Sequence, residues 1–76
     1  MSIKDEALAA SVRSALSQDK RLGSQPIMVR AAEGEILLKG RVDSEEQKEL
    51  ALLVSQGVPG VRYVRIDELS IREEQE

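Results

Sequence analysis

Ile27-Met28-Val29-Arg30-Ala31-Ala32-Glu33-Gly34-Glu35-Ile36-Leu37-Leu38-Lys39-Gly40-Arg41-Val42 is the stretch that decides the fold. Apolar residues alternate on both sides of a glycine: Ile27, Val29 and Ala31 before it, Ile36, Leu38 and Val42 after it. A period of two means a strand with one buried and one open face. The spacing predicts two antiparallel strands joined by a tight turn at Ala32 to Glu35. Gly34 supplies the positive φ that such a turn needs. The segments on either side read as cover for this ribbon.

A chain of 76 residues allows one domain and one small core, and without Phe or Trp that core must be aliphatic. Burying one Leu, Ile or Val returns about 1.5–3 kcal/mol, against roughly 1–2 kcal/mol per residue to fix the backbone. Modest stability is therefore expected. The absence of Cys and His removes thiol chemistry, the usual zinc ligands and the commonest general base. A net charge of −3 does not suit a polycation built for nucleic acid. No apolar run reaches ten residues, so no membrane-spanning segment is expected. The start lacks the apolar core of a signal peptide. The chain thus reads as cytoplasmic if complete, and as periplasmic or envelope-associated if it is a piece of a longer secreted protein.

Working outward, Ser2 to about Gln18 reads as a helix. Asp5 completes a capping box with Ser2, and Leu8, Val12, Ala15 and Leu16 form one apolar stripe. Lys20 and Arg21 suit its C-terminal end, Gly23 its stop, and Leu22 a plug beneath it. Gly23 to Pro26 is a loop, with Pro26 fitted to open a strand. Beyond the ribbon, either Asp43 with Glu46 or Ser44 with Gln47 can cap a second helix. Leu50, Leu53 and Val54, with Ala51, form its stripe. Gly57 is expected to end it in a left-handed turn, and Pro59-Gly60 to reverse the chain. The last strand begins near Val61. Val64 and Ile66 are out of phase with Leu69 and Ile71, so a bulge or break is expected near Asp67-Glu68.

The order is α-β-β-α-β: a two-layer α+β sandwich, both helices on one face of a three-stranded mixed or antiparallel sheet. Residues 1–72 make the domain and 73–76 a polar tail.

Val29, Gly34, Ile36-Leu37-Leu38-Lys39-Gly40-Arg41-Val42, Asp43-Ser44-Glu45-Glu46, Gly57-Val58-Pro59-Gly60-Val61 and Val64, in that order and spacing, resemble the BON domain. Leu16, Asp19 and Leu22 extend the resemblance through the leading helix. The family is named for bacterial osmotically induced periplasmic and nodulation proteins. The resemblance implies the same α-β-β-α-β fold and a non-enzymatic binding module, usually held to contact phospholipid membranes or envelope surfaces. One departure stands out: the spacing from Val64 to Leu69 is a residue longer than in the family, where the bulge is already expected.

If the first apolar set faces the helices, Met28, Arg30, Leu37, Lys39, Arg41, Tyr63 and Arg65 share the open face. Four cations then sit beside three apolar or amphipathic side chains, with Glu35 and Asp67 as the nearby counter-charges. Three readings compete. The face is simply solvated, with cationic stems covering apolar atoms. It meets an anionic phospholipid surface, each cation contributing about 1 kcal/mol. Or it docks another protein domain or weakly associates with its own copy, through the face or a strand edge.

The remaining motifs carry no chemistry. Gly57-Val58-Pro59-Gly60 matches the G-x-x-G of an RNA clamp, but Pro59 removes an amide and a strand follows, so it reads as a helix end and turn. Gly40 reads as a bend or a close-packing position. Only Tyr63 could stack on a base, so no nucleic-acid partner is expected. Glu45, Glu46 and Glu49 suit the start of a helix, and Glu73, Glu74 and Glu76 a solvated tail. No catalytic residue, metal site or cofactor is expected.

Overall fold

The structure, a computed structural model, describes residues 2–22 and 25–72. Helix α1 (Ile3–Gln18) is followed by strands β1 (Ile27–Ala32) and β2 (Glu35–Val42), helix α2 (Glu45–Gln56) and strand β3 (Tyr63–Ile71). The sheet order is β1-β2-β3. β1 and β2 are antiparallel and β3 runs parallel to β2, so the sheet is mixed. Both helices contact the sheet and each other. This is the expected α+β sandwich, with the strand order added.

The ribbon forms because its turn is chemically specified. Glu33 and Gly34 have φ of 54° and 86°. Two positive values match the right-handed twist of a two-residue hairpin loop. Register then follows: Val29 faces Leu38 and Ala31 faces Ile36. Ile36, Leu38 and Val42 are fully buried, with Val29 and Ala31 nearly so. Ile27, at the open end of the pair, is only half-buried.

α1 starts as expected: Asp5 N–H donates to Ser2 Oγ (3.1 Å), and the Asp5 side chain receives the Ser2 amide (3.5 Å). Val12 and Leu16 are buried, and Ala9 joins them where Leu8 and Ala15 lie half out. Leu22 is the expected plug, almost fully buried. Lys20 and Arg21 lie past the helix end, where Arg21 pairs with the capping Asp19 at 2.9 Å. The expected stop at Gly23 and the tail at 73–76 lie outside the described residues.

In the second half one open alternative is settled and two expectations are corrected. The cap of α2 is Ser44, whose Oγ accepts from the Gln47 amide at 3.2 Å. Gln47 Oε1 reaches one residue further back, to the Asp43 amide (2.7 Å), while Asp43 faces Arg72 at 3.7 Å. Gly57 is not left-handed: its φ is −80° and its amide turns back to Leu53 and Val54. Val58 N–H bonds Ser55 C=O (3.2 Å), so the helix tightens before it ends, and Gly60, φ 96°, takes the left-handed position. Leu53 does not join the core. Ala51, Ser55 and Val58 point inward instead, and these small side chains bring the α2 backbone near the sheet, leaving Leu53 63% exposed.

β3 starts at Tyr63, two residues later than expected, after Arg62 N–H bonds Gly34 C=O (2.8 Å). The bulge is present. Leu37 faces Arg65 but Lys39 faces Glu68, so one extra residue of β3 is taken up opposite Leu38. That extra residue returns Leu69 to the buried side, in step with Val64. Gly40 does permit a close approach, but of backbone to strand rather than helix to sheet. A Cβ there would overlap the Pro26 carbonyl oxygen, and its φ of 135° suits only glycine.

Candidate binding face

On the side of the sheet away from the helices, side chains fall into cross-strand rows set by the register. Met28, Lys39 and Glu68 form one row; Arg30, Leu37 and Arg65 the next; Ala32, Glu35 and Tyr63 the last. Arg41 lies beside Ser70 at the other end. All seven residues singled out from the alternation therefore share one face. Met28 and Tyr63 are 54% and 62% exposed, and Arg30, Lys39, Arg41 and Arg65 are also exposed. Leu37 is half-buried between its neighbours.

The charge pattern differs from the simple sum of four cations. Lys39 Nζ lies 3.8 Å from Glu68, and Arg65 lies 3.6 Å from Glu35 and 3.3 Å from Asp67. The hydrogen bond and charge of Asp67, then the charge of Glu35, push the already high pKa of Arg65 further up. Glu68 enters the face because the bulge advances β3 by one residue. A plain alternation from Val64 would turn Glu68 toward the helices, so sequence reading missed it. Among the described residues, Arg30 and Arg41 have no ion-pair partner. The face is thus divided: the β1–β2 half carries Arg30, Lys39, Arg41 and Met28, and the β3 half is balanced by carboxylates.

The end of the domain beside the hairpin is locked by a contact that sequence spacing does not reveal. Asp5, inside its own capping box, also receives the Glu33 backbone amide at 2.9 Å. That hydrogen bond, first among its causes, holds the Asp5 carboxyl below its usual pKa. The lock fixes the turn against the start of α1. Nearby, Lys4, Leu8, Pro59 and Arg62 line a broad groove of about 1100 Å³ that is open to solvent. Among the described residues no group of three His, Cys, Asp or Glu side chains could hold a metal, and no helix is long and apolar enough to cross a membrane.

The fold and the face define a class: a small two-layer α+β module whose sheet is covered on one side and open on the other. The model of the BON domain family matches residues 4–73, and the chain belongs to that family. Osmotically-inducible protein Y of Escherichia coli (strain K12) is 36% identical over 72 residues, which cover 95% of this chain and 35% of that protein. The chain thus spans about a third of the length of that curated relative. Among solved structures, the C-terminal domain of CdsD, the structural protein of the type III secretion system of Chlamydia trachomatis, superposes with a TM-score of 0.72. The match covers 91% of this chain and 34% of that one at 15% identity, a likeness of fold alone.

Proposed function

We propose that this protein is a non-enzymatic binding module that attaches to an anionic phospholipid surface of the bacterial envelope through the β1–β2 half of its open sheet face. The observation that carries this reading is the pair of guanidinium groups, Arg30 and Arg41, that have no ion-pair partner among the described residues, on a face where Met28 is half exposed and no described helix intervenes. A cation near an anionic leaflet contributes about 1 kcal/mol, screened within a Debye length of roughly 8–10 Å. Met28 and Tyr63 add shallow apolar contact. An envelope location draws support from the family and from the osmotic induction in the relative's name.

A second reading, docking of another protein domain, is favoured by a different observation. Lys39 with Glu68 and Arg65 with Glu35 and Asp67 give the β3 half the balanced polar rim typical of protein interfaces. Co-sedimentation with vesicles of anionic and of neutral lipid, across a salt series, separates the two. Binding to anionic vesicles that falls with salt, and falls about 30-fold in R30A/R41A (about 2 kcal/mol), supports the lipid reading. Binding indifferent to lipid charge and to both arginines overturns it.

A further inference from the structure

The exposure of Leu53 needs an explanation that the sheet face alone does not provide. It lies on the outer side of α2, and a groove there is lined by Glu46, Glu49, Leu50 and Leu53 together with Arg21, whose charge is already met by Asp19 at 2.9 Å. Positions i, i+3, i+4 and i+7 are one stripe of a helix. Glu46 and Glu49 are exposed, and α2 carries three glutamates to one lysine. The dipole accounts for acids in the first turn. It does not account for a leucine 63% exposed one turn beyond Glu49.

This stripe is the complement of the open sheet face. One presents an exposed leucine beside carboxylates; the other presents Met28 beside unpartnered arginines. Their spacings agree. Leu53 and Glu49 are four residues apart on a helix, about 6 Å of axial rise. Met28 lies two residues from Arg30 along β1, about 6.6 Å, and Arg41 lies the other way on the neighbouring strand, two residues beyond Lys39, a diagonal of about 8 Å. Leu53 set on Met28 therefore brings Glu49 over Arg30 when the helix follows β1, and beside Arg41 when it runs the other way and crosses toward β2. The two surfaces cannot meet within one chain, because α2 and the open face lie on opposite sides of the sheet.

We infer that a second copy of this chain docks its α2 stripe, Glu46, Glu49 and Leu53, on the open sheet face beside Arg30, Arg41 and Met28. The contact is head-to-tail: each copy uses a different patch, so the docked copy still presents a free sheet face and the receiving copy a free helix stripe. Such contacts generate open chains or rings rather than a closed two-fold dimer. The inference rests on the same sheet face as the proposed lipid contact, and a copy docked there would compete with the membrane for Arg30 and Arg41.

Sedimentation equilibrium at low salt, over a wide range of protein concentration, tests it. The average mass of the native chain should rise past that of a dimer and return to monomer as salt is added. L53D disables the helix stripe, and R30E/R41E disables the sheet patch. Each alone should remain monomeric at concentrations where the native chain associates, with circular dichroism spectra and unfolding midpoints confirming that both are folded. Mixed in equal amounts, they retain one working junction and should form a heterodimer that grows no further. A native chain that stays monomeric, or stops at a dimer, overturns the inference, as does L53D associating like the native chain. At concentrations too low for the native chain to associate, vesicle binding by L53D should match the native chain, so loss of association and loss of lipid binding are separately visible.

Discussion

Replacing Gly40 with alanine should be the most damaging single-methyl change in this domain. The position lies in β2 opposite Ile27, with φ of 135°. A side chain in that region costs about 1–3 kcal/mol in backbone strain. The new Cβ would also overlap the Pro26 carbonyl oxygen, a backbone atom held by the Arg41 amide at 3.3 Å. Relief requires β1 to move away at its first residues, losing that bond at about 1 kcal/mol. The sum is about 2–4 kcal/mol, against a total stability of about 4–11 kcal/mol for a chain of this length. G34A is the control. Its Cβ would approach Arg62 Cδ at 2.6 Å, but that is a flexible, exposed side chain that can swing aside. Only the strain at φ 86° remains, at the low end of the same range. Urea unfolding followed by far-UV circular dichroism measures both. G40A within about 0.5 kcal/mol of the native chain, or less harmful than G34A, would refute the reasoning.

Neighbouring leucines of β2 should respond unequally. L38A, at a fully buried position, should lose about 2–5 kcal/mol, and L37A, on the open face, about 1 kcal/mol or less, in the same urea experiment. S55A should be neutral or raise stability by up to about 1 kcal/mol, since Ser55 Oγ is buried without a hydrogen-bond partner; a clear loss would mean that the hydroxyl is satisfied. The Asp5 carboxyl has its native pKa depressed below 3.8, chiefly by the Glu33 amide. Its contribution is complete above the unfolded value and is lost as pH falls through the native one. Acid titration of unfolding free energy should therefore drop less steeply below pH ~4 in D5N than in the native chain.

The parts of this fold that were legible in the sequence are those decided by neighbours in the chain. Alternation from Ile27 to Val42 assigns the two faces of the ribbon because side-chain direction in a strand has a period of two. The bulge was legible because Val64 and Leu69 cannot both be buried without it. The seven face residues followed from the same parity. What escaped depends on packing between distant segments. Leu53 is as apolar as Leu50, but only the close approach through Ala51 and Ser55 decides which side of α2 meets the sheet. Glu68 reached the open face because the extra residue is absorbed before it, a detail of the β2–β3 register. Its pairing with Lys39 adds a third carboxylate to Glu35 and Asp67 and leaves Arg30 and Arg41 as the face's cations without an ion-pair partner among the described residues. The tie between Asp5 and Glu33 joins residues 28 apart, and no local pattern marks it.

The divided face makes a spatial claim that backbone amide shifts can read directly. In a 15N-labelled L53D chain, in which α2 docks on no second copy, titrated with nanodiscs of anionic lipid at low salt, signals from Met28 to Arg30 and Lys39 to Arg41 should broaden or shift first. Those of α1 and of α2 should hardly change, and neutral nanodiscs should leave the spectrum as it was. Perturbations centred on either helix, or equal effects from neutral and anionic lipid, would contradict the account.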